Sequence, residues 1–329
     1  MKDIIATKVG EVQFVAAGKS LHWSKEWKVF PDFLNAYLAG HLNPKWGEPQ
    51  LRFPIEEQHP INQWYSHMVE AQRTADRNSK GQLICNTGAA LSWLRLAYDL
   101  YLVEHNAELQ KRFIRKLRHP NHFQGARFEV AVAAMLVVAG YDIDFVPERG
   151  EGKHPEYFAV HRKTGTRVAV EAKSRHRDGI LGFRPDAKPT FDGSFQIDAL
   201  LRSAVLKDTE EPLLVFIELN TPIREIAKMA SEINRQLDAS WQAVQALRWE
   251  KGFPSIGVVF YNDACPWFLT EPLGKSEPSI WASGFWPNTS RHNFPSKQLL
   301  TSLVPWAMQR SDVPHSFPYP AEISTQQAQ

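Results

Sequence analysis

Residues 123–175 read FQGARFEVAVAAMLVVAGYDIDFVPERGEGKHPEYFAVHRKTGTRVAVEAKSR, and this stretch decides the fold. Phe128, Val132, Met135 and Ala139 recur at i, i+4, i+7 and i+11, the core stripe of a helix that Gly140 closes. Glu129 lies one position off that stripe, at the edge of the core rather than in open water. Three strand-like runs follow, at 141–146, 157–161 and 166–173. Lys163-Thr164-Gly165 joins the last two as a tight hairpin, with Gly165 supplying the backbone freedom. The hairpin makes those runs antiparallel neighbours, so Glu156 at the start of one and Glu171 near the end of the other meet at one sheet edge. Side chains repeat every two residues along a strand, which puts Glu171 and Lys173 on one face. Two carboxylates and one lysine therefore converge.

Downstream, a Gly/Pro-broken loop (178–193) leads to a helix from Ser194 with Ile197, Leu200, Leu201 and Val205 inward. Residues 213–219 and 256–261 are apolar runs typical of buried strands. Between them Thr221 and Pro222 read as cap and first residue of a long helix whose stripe passes through Ile223, Ile226, Ala230, Ile233, Leu237, Trp241 and Val244. Beyond Cys265 the chain is rich in proline and tryptophan without clear period. This predicts a mostly irregular arm packed on the core, because Trp267, Trp281, Trp286 and Trp306 need burial. Upstream, residues 1–62 offer one short strand within 9–16 and a helical turn at 31–39, then a segment broken by prolines. Helices are expected from Gln63, from Gly88 to about Glu104, and from Ala107 to Arg118, the last ended by His119-Pro120. The division is a mainly helical N-terminal region (1–118), an α/β domain (119–264) and a C-terminal arm (265–329).

With 43% hydrophobic and 22% charged residues the chain has the makings of a soluble globular protein. No apolar run approaches the roughly 20 residues of a membrane helix and the first residues lack an export signal, so the expectation is a cytoplasmic protein with no membrane partner. Cys85 and Cys265 stand alone, with neither a disulfide framework nor zinc-like spacing. Net charge is only +2, but its distribution is uneven. Lys111, Arg112, Arg115, Lys116 and Arg118 form an acid-free run, and residues 161–188 carry eight Lys or Arg against three acids. Clustered positive charge beside a carboxylate pair is what a phosphodiester substrate requires. A hard divalent cation held by two carboxylates supplies much of the rest of that chemistry, which assigns Glu156 and Glu171 as ligands.

Helix with Glu129, strand, Pro155-Glu156 opening a second strand, Glu171-Ala172-Lys173 ending a third, then helix and strand: this order resembles the PD-(D/E)xK nuclease superfamily. The resemblance implies a restriction-endonuclease-like core, a mixed central sheet flanked by helices, beside the helical N-terminal region. It further implies Mg²⁺ (Mn²⁺ substituting) bound by Glu156, Glu171 and the carbonyl of Ala172, with Lys173 beside the attacking water. Glu129 would bind the metal through water or hold a second ion. One departure is that the family most often has Asp where this chain has Glu156. Gln196 is placed like a glutamine that some members carry on the next helix.

The expected function is a DNA endonuclease, of the kind used in restriction or anti-phage defence, with Arg175, Arg177, Arg184, Lys111, Arg112 and Arg115 contacting phosphates. The long helix at 222–251 is available as a homodimer interface, although packing within the chain accounts for it more economically. Rival expectations are a non-catalytic nucleic-acid-binding subunit of the same fold and an RNA-cleaving toxin. Other constellations are weaker: His119 and His122 flank Pro120 without clustered partners, and Asp142 and Asp144 read as an exposed strand face. No phosphate loop of the G-x-x-x-x-G-K-[ST] type and no G-x-S-x-G elbow occurs.

Overall fold

The computed structural model describes residues 1–74, 87–146, 154–182, 184, 186–188, 197–207, 209–222, 226–246, 256–273, 280–285, 303–305 and 313–318. The expected α/β architecture is present as a six-stranded mixed sheet between helices. Its strands are β4 (Tyr141–Phe145), β5 (Tyr157–His161), β6 (Arg167–Ser174), β7 (Leu213–Glu218), β8 (Ile256–Asp263) and β9 (Ile280–Phe285), in that spatial order. The first three strands run antiparallel, β6, β7 and β8 are mutually parallel, and β9 returns antiparallel to β8. Gly165, at φ +68, turns the β5–β6 hairpin as its sequence implied.

The parallel strands are apolar almost throughout because helices cover both faces. On one face lies α6 (Pro120–Val138), a helix buried on nearly every side. Phe128 and Met135 pack with Val168, Val170, Ala172, Phe216 and Tyr261 in one apolar cluster. The other face takes α7 (Asp198–Val205) and α8 (Ile226–Gln245), whose Leu201, Leu237 and Trp241 meet Ala169, Val215 and Phe260. Residues alternate along β6 between these two clusters, which fixes the direction of every side chain near its end.

The N-terminal region packs outside α6. Its helices are α1 (Phe30–Leu42), α2 (Pro44–Gly47), α3 (Pro60–Thr74), α4 (Gly88–Asn106) and the short basic α5 (Lys111–Leu117). Helix α4 is apolar around most of its circumference because it lies between α1, α3 and α6. A buried ion pair, Arg95–Asp263 at 3.0 Å, ties it to the end of β8. Where the sequence suggested a single short strand, β1 (Ala6–Val9), β2 (Val12–Ala17) and β3 (Ser20–Ser24) form an antiparallel sheet of their own.

Three other expectations change. Pro120 does not merely end the basic helix; it is the first residue of α6, where its missing N–H costs nothing, so His122 sits in the first turn of that helix rather than in a loop. Thr221 and Pro222 are not helical; the Thr221 backbone N–H and hydroxyl both donate to Asn262 Oδ1, tying the end of β7 to β8, while α8 is described over Ile226–Gln245 and Ile223 lies outside the described residues. The C-terminal arm contributes β9, because the free edge of β8 offers a ladder partner to a run too short and mixed to announce itself. Trp267 and Trp281 are partly buried there, whereas Trp286, Trp306, Gln196 and Cys85 lie outside the described residues. Among the described residues no helix is long and apolar enough to cross a membrane.

Gly88 opens α4 where a side chain has no room: a Cβ would sit against the carbonyl oxygens of Cys265 and Phe268. Both are backbone atoms and cannot swing aside. Gly88→Ala is expected to cost about 3 kcal/mol through forced separation of α4 from the turn after β8. A thermal melt checks this, and an unchanged Tm would show that the contact yields freely.

Candidate functional site

The last paired residues of the β5–β6 hairpin are Tyr157 and Val170. Beyond that pair the Glu156 N–H donates to the Val170 carbonyl at 3.0 Å, one position off the hairpin register, so the chain departs from the ladder at Glu156 while staying against the end of β6. The charge of Glu156 reaches the Glu171 carboxyl from there. Since Val168, Val170 and Ala172 join the α6 cluster and Ala169 joins the α7 cluster, Glu171 and Lys173 point toward α7. The Ala172 carbonyl points to the β5 side, like that of Val170, but beyond the last β5 pair. The geometry thus brings together Glu156, Glu171, Lys173 and the Ala172 carbonyl.

Glu171 has no exposed surface. Burial pushes its carboxyl above the usual range; Lys173 opposes that shift, Glu156 adds to it, and Lys207 opposes it in turn. Two ammonium groups reach the same oxygen, Oε1: Lys173 at 2.6 Å and Lys207 at 3.1 Å. Both oxygens are buried, and neither accepts a hydrogen bond of good geometry, so among the described residues Oε1 is met by charge alone and Oε2 by nothing. Burial alone would lower the Lys173 pKa, but the charge of Glu171, with Glu156 and Glu129 behind it, holds it above that of an ordinary lysine. Lys173 is therefore a cation at neutral pH.

Glu129 sits on α6, with Lys116 of α5 at 3.4 Å from Oε2. Burial and then the charge of Glu156 raise its pKa to about 7, against the pull of Lys116 and Arg112. Among the described residues no three His, Cys, Asp or Glu side chains come close enough together to enclose one ion. The donor set for a cation is accordingly Glu156, Glu171 and the Ala172 carbonyl. All are hard oxygens and one is an orphaned buried acceptor, which fits Mg²⁺ or Mn²⁺ completed by water.

The basic residues divide. Lys111 and Arg115 are exposed on α5 and Arg184 is exposed in the segment after β6. Arg112 instead donates to the Val146 carbonyl at 2.8 Å and reaches the Glu156 carbonyl at 3.5 Å, steadying the chain where Glu156 leaves β5. Arg175 and Arg177 are buried at 8% exposure each, Arg177 donating to the Asn220 carbonyl. Asp142 and Asp144 lie on an exposed strand face, where each pairs with an arginine, Arg162 and Arg167 respectively. The rings of His119 and His122 stand 4.6 Å apart at an exposed helix start.

Lys207 escaped the sequence reading. It follows α7 as one lysine among many in the chain, and no spacing relates it to Glu171. Only the packing of α7 on the sheet brings it there. No protein-family model, curated protein or solved structure matches the chain.

Because the Glu129 carboxyl titrates higher in the folded chain than its usual 4.5, folding favours its proton. The resulting stability is present in full below about pH 4.5 and is lost as pH rises through about 7, on the order of 3 kcal/mol in all. In metal-free buffer the Tm of Glu129→Gln should therefore gain on wild type between pH 5 and pH 8. A constant difference across that range would mean that Glu129 ionises freely.

Proposed function

We propose that the chain is a metal-dependent nuclease of the PD-(D/E)xK type with a restriction-endonuclease-like core, acting on DNA. The observation that carries this reading is the convergence at one strand end: Glu156 held on the Val170 carbonyl, a fully buried Glu171 whose oxygens accept no hydrogen bond, and Lys173 at 2.6 Å from that carboxylate. A structural ion pair has no need to bury a carboxylate in a central strand, near a second acid, and leave its oxygens without a hydrogen bond. Pairs of acids held this way, with a cation beside them, are instead how proteins hold hard divalent ions and act on phosphate esters.

Glu156, Glu171 and the Ala172 carbonyl would hold Mg²⁺, or Mn²⁺ in its place; a bound ion there supplies an acidified water and neutralises phosphate charge. Lys173, already protonated, orients the attacking water and stabilises the extra negative charge of the pentacoordinate phosphorus through its ammonium. Glu129 acts at longer range, as a charge felt by Lys173. Lys111, Arg115 and Arg184 are exposed and would meet neighbouring phosphates, Arg184 in exchange for its ion pair with Asp178 at 3.3 Å, whereas Arg112, Arg175 and Arg177 serve the scaffold. A cytoplasmic role in restriction or anti-phage defence suits such an activity.

A second reading has its own support. Among the described residues no three acids gather closely enough to enclose an ion, and both lysines already pair with Glu171, as a retired site would have it. That reading is a nucleic-acid-binding subunit that performs no hydrolysis.

Wild type, Lys173→Ala and Glu171→Gln, each checked for folding by a thermal melt, separate the two on plasmid and linear DNA with Mg²⁺, Mn²⁺ or EDTA. The nuclease reading expects metal-dependent cutting by wild type and a loss of about 10²-fold or more in either variant. DNA and RNA bound but uncut by all three would leave the binding subunit, and RNA cut in preference to DNA would change the substrate.

A further inference from the structure

We propose that Lys207 is a second phosphate-binding residue of this site, engaging the same nucleic-acid strand as Lys173; the inference rests on the nucleic-acid reading above. Lys207 lies two residues past the end of α7, and its backbone N–H still donates to the Ala204 carbonyl. Its ammonium donates to the His154 carbonyl at 2.9 Å, just before β5, and lies 3.1 Å from Glu171 Oε1. Only 17% of the side chain is exposed. This is a lysine held in place by two separate segments, not a solvated surface charge.

An ammonium has three N–H donors, and two partners leave one for a ligand. Charge points to the same ligand. Glu171 carries one negative charge and meets two ammonium groups, so the face holds more positive charge than its buried acid removes. Glu156 offsets the remainder, but it is only half-buried and water screens part of its field. If Glu171 needed a counter-ion alone, Lys173 at 2.6 Å already provides it, and desolvating a second ammonium would be a cost without return. A phosphodiester approaching between β5 and α7 uses both cations, one on each side of Glu171.

The test compares full-length wild type, Lys207→Met and Lys207→Arg for binding a short labelled DNA duplex in EDTA, by fluorescence anisotropy over a series of salt concentrations. Without divalent metal, neither cleavage nor ion loading contributes to the signal. Lys207→Met should bind several-fold more weakly and lower the slope of log K against log salt by about 0.9, the loss of one phosphate contact, while Lys207→Arg keeps the wild-type slope. If the methionine variant binds DNA with the wild-type slope, Lys207 is a counter-ion of Glu171 only and the proposal fails while the nucleic-acid reading stands. If wild type binds neither duplex nor single-stranded DNA or RNA, both fall together. Should Lys207→Met fail to fold, Glu171→Gln/Lys207→Met measured against Glu171→Gln gives the same comparison, since the buried carboxylate that Lys207 helps to balance is absent from both.

Discussion

A carboxylate without any exposed surface, following the apolar run Val168–Val170 near the end of β6, sets the terms for everything around it. Moving an ionised group out of water costs several kcal/mol even after the protein relaxes, so Glu171 must either keep its proton or be met by positive charge. The fold does the second. Lys173 comes from the same face of β6, and Lys207 arrives from the end of α7. Lys207 also bonds the chain just before β5, so one buried charge links three separate segments, and the position of α7 against the sheet is partly electrostatic. Its apolar contacts through Leu201 and Val205 do the rest.

The end of the sheet beyond Glu171 is organised by a second buried acid that is fully answered. Glu218, at the end of β7, accepts from Arg127 of α6 and, at 2.6 Å, from the hydroxyl of Ser174. Asn220 follows at φ +48, a left-handed conformation that asparagine tolerates, and its amide donates to the Arg175 carbonyl. Its side-chain oxygen accepts from Trp267 at 3.0 Å. Arg177 closes the group by donating to the Asn220 backbone. Buried polar groups of this density are stable only when each finds a partner, and that requirement draws Arg175 and Arg177 inward. The contrast with Glu171, which keeps an oxygen without a partner, separates a structural acid from a candidate functional one.

The arginines show how far charge counting along a sequence reaches. A run of cations next to an acidic strand end describes both a phosphate-binding face and the inside of a polar network, since both need guanidinium groups. Periodicity does not settle this in a loop, where neither the period of two nor that of 3.6 applies. The same limit affects His119 and His122, whose neighbour Pro120 ends a helix and starts one equally well.

Local pattern alone determined the α6 stripe, the β5–β6 hairpin with its glycine turn, the two apolar parallel strands, and the shared face of Glu171 and Lys173. These follow from spacing along one strand or helix, and the backbone geometry that enforces such spacing is the same in any fold. Tertiary structure alone decided which layer that shared face looks toward, that Glu129 meets Lys116, that β9 completes the edge, and that Lys207 meets a residue far behind it in the chain. Each of these depends on how whole elements pack, which is set by the summed burial of many side chains rather than by any one spacing. An E-x-K on a strand fixes two side chains relative to each other; only the packed helices on either side decide what stands opposite.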